Sequence, residues 1–515
     1  MSYDEFLNMT SIKIGDNITL VTKNYEDNNG NLLSTIYGNN NVISYDYDDF
    51  DRIKKITKMD DIYQYKYGNN GDLIKIISNN DVIKYVYDLN KRIYEYKFND
   101  FKIKYGYDSN NNVISKEYKL INNQDDPLDD INETIEHNIQ NTLNDDDMVS
   151  KVVIDTSEFN YNYDSLGRII NSNINNLYSK NYEYVTNGKR TSLLIKSIDN
   201  NSDKYVYKYD KTDNITHIYH NNVLENEYYY DENNQLVKEN DYLKNETIRY
   251  KYDDLGNILF KKVCELNTYN QISQNKYEYN NIDWADQMTK FNDDAITYDE
   301  IGNPLAIGSN TTLKWLNGRQ LSEYIDANNN ITYKYDKNGI RINKVINNIE
   351  TKYFLEDSSI ILEKTGDNVL YYPYSNVDDI IGFKYNANLY YYVKNIHNDI
   401  IGILDSQYNL VARYRYDSWR NILSIVDNNN NSVINDATHI ANINPFRYRS
   451  YYYDKETKLY YLNSRYYNPM WGRFINADNI INSNSDLLSH NLYIYCSNNP
   501  INRVDSQGHG WLSNL

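Results

Sequence analysis

The chain has 515 residues, enough for several domains or for one large repeat array. Its net charge of −19, without any basic run, argues against nucleic acid as a partner of the bulk surface. Its two cysteines, Cys264 and Cys496, allow at most one disulfide bond and exclude a framework of several. No C-x-x-C or H-E-x-x-H spacing predicts a metal site, and we expect no cofactor.

The first residues lack the basic and apolar regions of a Sec-type signal, and no apolar run approaches the roughly 18 residues that span a bilayer. We therefore expect no transmembrane segment. A secreted or cell-surface location would need export from the cytoplasm by a route without a Sec-type signal in this chain.

An internal repeat runs through most of the chain, with the consensus Y-x-Y-D-x-x-G-[RN]-[IL]. The alternating tyrosines predict a strand with both rings on one face. Asp-x-x-Gly predicts a turn that Asp caps and in which Gly or Asn takes a positive φ. The tyrosines that precede the aspartates are Tyr47, Tyr67, Tyr87, Tyr107, Tyr163, Tyr209, Tyr230, Tyr252 and Tyr335.

Each repeat is then a β-hairpin of about 20 residues, too small to bury itself, which must stack on its neighbours. The sequence therefore predicts an all-β fold of stacked hairpins in one large curved or spiralling sheet. At this length we expect an incomplete or small hollow shell.

Two segments depart from the repeat. Residues 123–147 are acidic, and their apolar residues lie three or four apart, which predicts a short amphipathic helix; a disordered acidic loop is the alternative. These apolar residues are Leu128, Ile131, Ile135, Ile139 and Leu143. From about residue 370 strict repetition fades, and this part holds four of the six prolines and three of the five tryptophans.

The Y-x-Y-D-x-x-G units resemble the YD repeats of Rhs proteins. Residues 390–422 resemble the beginning of the Rhs repeat-associated core domain. NPFRYRSYYYDKETKLYYLNSRYYNPMWGRFINADN, at 444–479, is similar to the central motif of that domain, and NLYIYCSNNPINRVDSQG, at 491–508, to its closing motif. The resemblance extends over nearly the whole chain and is most specific in these two motifs.

The resemblance implies three regions: a YD-repeat β-shell over 1–369, an irregular core domain over 370–508 that plugs the shell, and a stub at 509–515 where a toxin domain would begin. In this family, which includes the C components of insecticidal Tc toxin complexes, the shell encloses a toxic C-terminal domain. The implied function is the shell and core plug of an Rhs-type polymorphic toxin. Its implied partners are a C-terminal or separately encoded toxin fragment and another shell-forming chain.

The family's core also cuts the toxic domain off, an activity attributed to an aspartyl autoprotease. Residue by residue, the resemblance assigns the two aspartates to Asp478 and Asp505, and a positioning or oxyanion-stabilising role to Arg473. One aspartate would be ionised and activate water, and its protonated partner would polarise the carbonyl. By register the scissile bond is His509–Gly510, and Ser506 stands where the motif has proline. The alternative is an Asx turn at Asp505 and a loop cap at Asp478.

Other patterns have structural and functional interpretations side by side. Cys496 with His490 or His509 could form a thiol–base pair, but a packed cysteine in the strand-like YIYCSNN is favoured. Four arginines interleave with aromatic residues, which favours stacking inside the core over nucleic-acid binding. They are Arg447, Arg449, Arg465 and Arg473. The tyrosine rows are the sheet's own ladder in one interpretation. In the other, they bind cell-surface glycans in a non-enzymatic adhesion protein.

Overall fold

The computed structural model describes residues 1–59, 61–79, 81–121, 133–187, 190–377, 379–479, 487–505, 508 and 512–513. Most of these residues belong to one 40-stranded sheet, in which each strand pairs antiparallel with the next one along the chain. Among the described strands the first and the last do not pair with each other, so the sheet is open. The all-β prediction is confirmed.

The strands of the first half are β1 Ser2–Tyr3, β2 Met9–Ile14, β3 Ile18–Tyr25, β4 Leu32–Tyr37, β5 Val42–Tyr47, β6 Ile53–Lys58, β7 Asp61–Tyr67, β8 Leu73–Ile77, β9 Val82–Tyr87, β10 Ile93–Phe98, β11 Phe101–Tyr107, β12 Val113–Ile121, β13 Glu133–Leu143, β14 Val149–Ile154, β15 Ser157–Tyr163, β16 Ile169–Ile174, β17 Tyr178–Asn187, β18 Arg190–Asn200, β19 Asp203–Tyr209, β20 Ile215–His220, β21 Val223–Tyr230, β22 Leu236–Asp241, β23 Glu246–Tyr252, β24 Ile258–Glu265 and β25 Gln271–Glu278.

The sheet continues through β26 Lys290–Phe291, β27 Asp294–Tyr298, β28 Pro304–Ile307, β29 Thr311–Leu316, β30 Gln320–Ile325, β31 Asn330–Tyr335, β32 Arg341–Ile346, β33 Ile349–Glu356, β34 Ser359–Thr365 and β35 Asn368–Tyr371. A separate pair, β36 Tyr374–Ser375 and β37 Asp379–Ile380, precedes its last strands, which are β38 Gly382–Tyr385, β39 Asn388–Lys394, β40 Ile400–Leu404, β41 Leu410–Tyr416 and β42 Ile422–Val426.

After Val426 the chain forms short elements. A four-stranded sheet contains β43 Tyr452–Asp454, β44 Leu459–Leu462, β45 Arg465–Asn468 and β46 Arg473–Phe474, and β47 Arg503–Val504 pairs with β48 Leu512–Ser513. The helices are α1 Ile440–Ile443 and three 3-10 turns, Tyr448–Ser450, Leu487–His490 and Cys496–Asn498. The large sheet thus continues past residue 370, and the division at 369 and 370 stays a prediction.

The second tyrosine of each repeat ties its strand to the preceding strand. The Tyr87 hydroxyl, at the end of β9, donates a 2.8 Å hydrogen bond to the carbonyl of Leu73, the first residue of β8. All nine of the predicted YD tyrosines make the equivalent bond, at 14 to 16 residues of separation. The tyrosine hydroxyl therefore satisfies a backbone carbonyl of the preceding strand.

The aspartate and the residue four positions later complete the repeat. Asp88 Oδ1 accepts from the backbone N–H groups of Asn90 and Arg92 at 2.8 and 3.0 Å, which caps the turn as predicted. The Arg92 guanidinium binds the other carboxylate oxygen at 2.7 Å and stacks over Tyr107 of the next repeat, 4.3 Å from the ring centre. Lys91 has a φ of 62°, where other repeats place Gly or Asn.

The acidic insertion is not helical where it is described. Residues 133–143 form β13, which pairs with both β12 and β14, so the predicted helix is wrong there. A spacing of four residues also suits one face of a strand, because four is a multiple of the two-residue strand period. Ile139 and His137 share the buried face of β13 accordingly. The rest of the predicted helix, residues 123–132, lies outside the described residues.

The sheet curls so that its second half lies against its first half. Side chains separated by more than 150 residues in the chain bind each other along this contact. The pairs are Tyr118 with Glu356 at 2.7 Å, Ser157 with Tyr391 at 2.7 Å, Asn175 with Tyr408 at 2.6 Å and Lys261 with Asp417 at 2.8 Å. The curved sheet that the repeats predict is therefore held by polar contacts between its own strands.

The short elements after Val426 fill the concave side of the sheet. Ladder tyrosines such as Tyr207 and Tyr333 belong to the same buried cluster as Phe446, Tyr461 and Trp471. These tyrosines therefore form part of the core between sheet and plug, and glycan binding by the tyrosine rows stays a prediction. We refer to residues 440–505 as the plug.

A buried ion pair fastens the plug to the sheet. Arg341 on β32 makes two bonds to Asp454 on β43, at 2.6 and 3.2 Å, and both side chains are fully buried. Lys344 adds a third contact to the same carboxylate at 2.9 Å. Two cations surround one buried carboxylate, so the pKa of Asp454 is lowered despite burial.

Candidate functional site

The plug brings the two predicted aspartates to one cation. Arg465, the first residue of β45, places Nη2 2.9 Å from Asp478 Oδ2 and 3.3 Å from Asp505 Oδ2. Both carboxylates are buried, with Asp478 6% and Asp505 2% exposed. A guanidinium between two carboxylates offsets their mutual repulsion, which lowers the free-energy cost of placing two carboxylates together in a dry site.

Three contacts hold Arg465 in this place. Its guanidinium stacks on Phe474 of the neighbouring strand, 3.6 Å from the ring centre. Nη1 donates to the Leu492 carbonyl at 3.0 Å, and Nε donates to the carbonyl of Gly508. Arg465 therefore ties the central motif to both ends of the closing motif, at Leu492 and at Gly508.

Asp505 is held by bonds at both its side chain and its backbone. Its Oδ1 accepts from the N–H of Gly508 at 2.8 Å, and its carbonyl accepts from the Tyr451 hydroxyl at 2.7 Å. Gly508 has a φ of 76°, and a Cβ there would lie 2.6 Å from Ser464 Oγ. Asp505 thus caps a turn, as the structural interpretation predicts. It also lies beside Asp478, as the autoprotease interpretation predicts.

Asp478 lies four residues after the end of β46. Its N–H donates to the carbonyl of Leu492 at 2.9 Å, the same oxygen that binds Arg465. The preceding residue, Ala477, donates to Gly302 in the sheet at 3.2 Å. The carboxylate is therefore set by backbone bonds both within the plug and to the shell.

Arg473 lies at another place in the plug. Its guanidinium bonds to Asn257 and Asn491 side chains and to the Asp286 carbonyl, each at 3.0 Å, and also to the Tyr279 hydroxyl. These partners belong to the sheet and to the segment that begins the closing motif. The structure brings Asp478 and Asp505 together on Arg465, while the described bonds of Arg473 go elsewhere.

The predicted scissile bond, His509–Gly510, and Ser506 lie outside the described residues. Gly508, which precedes the predicted bond, is the nearest described residue on that side. Within the part of the chain that the structure describes, no group of three or more His, Cys, Asp or Glu side chains is placed to hold a metal ion.

The sequence does not assign Arg465 to the candidate site, although it contacts both aspartates. The sequence predicts stacking for Arg465 and three other arginines, and the ring contacts confirm this for all four. The distances to ring centres are 4.7 Å from Arg447 to Tyr414, 5.4 Å from Arg449 to Tyr448, 3.6 Å from Arg465 to Phe474 and 5.1 Å from Arg473 to Tyr279. Stacking is visible in the local pattern, whereas the aspartates that bind the same guanidinium come from 13 and 40 residues away.

Cys496 is a packed residue, but not in a strand. It begins a 3-10 turn and is 2% exposed, and burial raises the pKa of its thiol to about 12. A thiol in that state is a poor nucleophile. Cys496 and Cys264 are both buried and free, so the bridge left open by the sequence does not form.

The fold and the plug define a YD-shell protein. The family model described as Teneurin YD-shell matches residues 208–501, more than half of the chain, so the chain belongs to this family. The resemblance to Rhs and YD-repeat proteins is thereby confirmed.

Among curated proteins, the chain is 34% identical over 287 residues to the "tRNA3(Ser)-specific nuclease WapA" of Bacillus spizizenii. It is 35% identical over 287 residues to the "tRNA nuclease WapA" of Bacillus subtilis. Each alignment covers 54% of this chain and 12% of the relative, so the chain spans a small part of these proteins.

Solved structures show the same fold at low identity. The chain is 15% identical to a chain of the crystal structure of TcdB2-TccC3-Cdc42, with a TM-score of 0.65, covering 99% of this chain and 30% of that one. The Photorhabdus luminescens Tc holotoxin pore matches with a TM-score of 0.63 at 15% identity, over 98% of this chain and 29% of the other. In the described part of the chain, no helix has the length and apolar character needed to cross a membrane.

Proposed function

We propose that this chain is the shell and core plug of an Rhs-type toxin and that its plug cuts the polypeptide between His509 and Gly510. The YD-shell fold and the WapA relatives support the first part. The observation that carries the second part is the shared contact of Asp478 and Asp505 with Arg465.

The cut is a hydrolysis by an aspartate pair. The ionised aspartate takes a proton from water as the water oxygen adds to the carbonyl carbon of His509. The other aspartate, protonated, donates to the carbonyl oxygen, which gives a tetrahedral intermediate with two hydroxyl groups. The proton taken from water then passes to the Gly510 nitrogen as the C–N bond breaks, and one hydroxyl returns its proton to the second aspartate, leaving the His509 carboxyl group. Arg465 stabilises the ionised member of the pair and, through Gly508, holds the chain that leads to the bond.

Arg473 has a positioning role in this proposal. It fixes Asn491 at 3.0 Å, next to Leu492, whose carbonyl binds both the Asp478 N–H and Arg465. Loss of Arg473 should therefore slow the cut rather than abolish it, because no reacting group is removed.

Intact-mass measurement of the expressed chain tests the cut. A mass that corresponds to loss of residues 510–515 is expected, and Asp505→Asn and Asp478→Asn should each retain the full mass. Asp454→Asn is the matched control, since it neutralises a buried aspartate bound to Arg341 away from the site. An uncut wild-type chain, or variants cut like wild type, would refute the autoprotease.

Cargo enclosure and assembly with a second chain are further parts of the proposal. The open sheet leaves β1 with a strand partner on one side only among the described strands, and another shell-forming chain could add at its other side. In this proposal the protein is exported with its cargo inside. A protease-sensitive peptide fused after Leu515 should resist digestion once the partner chain is added, and continued digestion would argue against enclosure.

A further inference from the structure

A charged contact joins two distant parts of the sheet. The hairpin of β41 and β42 reaches strands β22 and β24, and Lys261 binds Asp417 there at 2.8 Å while Arg415 binds Asp241. The side chains of Lys261 and Asp417 are each 14% exposed, and that of Asp241 is 7% exposed. We call this contact the carboxylate seam.

A third carboxylate, that of Glu239, lies within the seam. Glu239 is 2% exposed and accepts hydrogen bonds from the Tyr250 hydroxyl at 2.8 Å and from Ser418. Ser418 follows Asp417 in the turn between β41 and β42, so this bond crosses the seam. A cavity of about 440 Å³ opens beside it and is lined by Glu239, Lys261 and Asp417.

Two ion pairs cross the seam, Lys261 with Asp417 and Arg415 with Asp241, and they leave Glu239 without a cation of its own. The carboxylates are Glu239, Asp241 and Asp417, and the cations are Lys261 and Arg415. With Glu239 protonated, two carboxylates face two cations; with Glu239 ionised, one negative charge is buried without a partner, which is costly in a dry site. The other charged groups that line the cavity include three pairs: Arg420 with Asp399, Lys244 with Glu246 and His220 with Glu225. Tyr228 and Arg413 also face the cavity.

Burial, with a further contribution from Asp417, raises the pKa of Glu239 to about 7. An acid whose pKa is higher in the closed seam than in water stabilises the closed form at low pH. That stabilisation is complete below the ordinary glutamate pKa of about 4.5 and is lost as pH rises towards 7.

We propose that the carboxylate seam is a pH-dependent latch of the shell, closed while Glu239 is protonated and loosened when it ionises. The turn that Glu239 binds also holds the plug. The Trp419 carbonyl accepts from Tyr467 at 2.9 Å, and Asn421 donates to the Pro469 carbonyl at 2.9 Å. Tyr467 lies on β45 with Arg465, so loosening of the seam reaches the plug. The latch does not depend on whether the chain cuts itself.

Hydrogen exchange on the full chain tests the latch, with wild type and Glu239→Gln compared at the same pH so that intrinsic exchange rates cancel. At pH 8, peptides covering 236–241 and 413–421 of the wild type should exchange about tenfold faster or more than those of the variant. At pH 5 the two proteins should exchange alike. Equal exchange at pH 8, or the same difference at both pH values, would overturn the proposal.

A second variant guards against a folding defect in the first. Asp417→Asn keeps the turn cap, because asparagine also accepts backbone N–H bonds, and it leaves Lys261 to neutralise an ionised Glu239. Its exchange should not accelerate at pH 8, and acceleration like that of wild type would contradict the charge argument. Glu363→Gln is the matched control, since Glu363 is a buried glutamate bound by Tyr372 and Tyr452, and its exchange at the seam should follow wild type.

Discussion

Asp478 and Asp505 contact the same nitrogen of Arg465, at 2.9 and 3.3 Å. The first aspartate lies near the end of the central motif of the plug, and the second lies near the end of its closing motif. Because one buried cation serves both carboxylates, stability and chemistry at this site depend on the same side chain.

Arg465→Lys should destabilise the protein and prevent the cut. Lysine keeps the charge, but an ammonium cannot contact both carboxylates and the carbonyls of Leu492 and Gly508 while stacking on a ring. Breaking a buried charged network of this kind costs about 3–5 kcal/mol. Urea unfolding measures the loss, and intact mass reports the cut. Arg413→Lys, at an exposed arginine, is the control; a variant as stable as wild type would contradict the network.

Tyr252→Phe should cost about 1 kcal/mol, because it removes only the hydroxyl that bonds the Leu236 carbonyl at 2.5 Å and leaves that carbonyl without this donor. Thermal unfolding with a van't Hoff analysis measures the change. Tyr94→Phe, at a ring that is 46% exposed, should be neutral. Equal effects of the two changes would mean that the hydroxyl bond adds nothing to the free energy of unfolding.

His220 should make stability depend on pH above neutrality. Hydrogen bonds to Asp203 at 2.5 Å and Glu225 at 2.9 Å raise the pKa of His220 to about 9. A histidine with a raised pKa stabilises the fold fully below its unfolded pKa of about 6.5, and this contribution is lost as pH rises to 9.

His220→Gln should therefore lower stability by about 1–2 kcal/mol at pH 6, after allowance for solvent screening, and by little at pH 10. Urea unfolding of both proteins at the two pH values checks this. A loss of the same size at both would show that the histidine acts through packing on Tyr205, whose ring lies 4.3 Å away, and not through its charge.

Gly472→Ala should destabilise the plug by at least about 2 kcal/mol, through backbone strain and a clash together. Gly472 has a φ of 66°, and a Cβ there would lie 2.7 Å from the buried ring of Trp419. Gly366→Ala separates the two causes, since Gly366 has a φ of 58° and open space around it. The first variant should lose clearly more stability than the second in urea; equal losses would leave strain alone as the cause.

Local features were predictable because strand and turn preferences act over a few residues. The alternating tyrosines, the capping aspartate and the positive φ at the turn follow from each repeat on its own. The acidic insertion shows where local reasoning fails: a spacing of four suits a helix and a strand face alike, and pairing with β12 and β14 decided for the strand.

The candidate site too has a part that was predictable from sequence and a part that was not. The motifs identified Asp478 and Asp505, but their cation is Arg465, 13 residues before Asp478 in the central motif. Arg473, which is closer in sequence to Asp478, binds Asn257 and Asn491 instead. Which arginine enters the site depends on how the plug packs in the sheet, and no spacing within one segment records that.

The amino-acid sequence by itself determined the repeating hairpin, the all-β class and the family, because these reside in short patterns that recur along the chain. The tertiary structure decided which distant side chains meet, at Arg465 and at the seam of Glu239. Burial there removes water from charged groups, and their behaviour then depends on the partners that folding brings within about 3 Å.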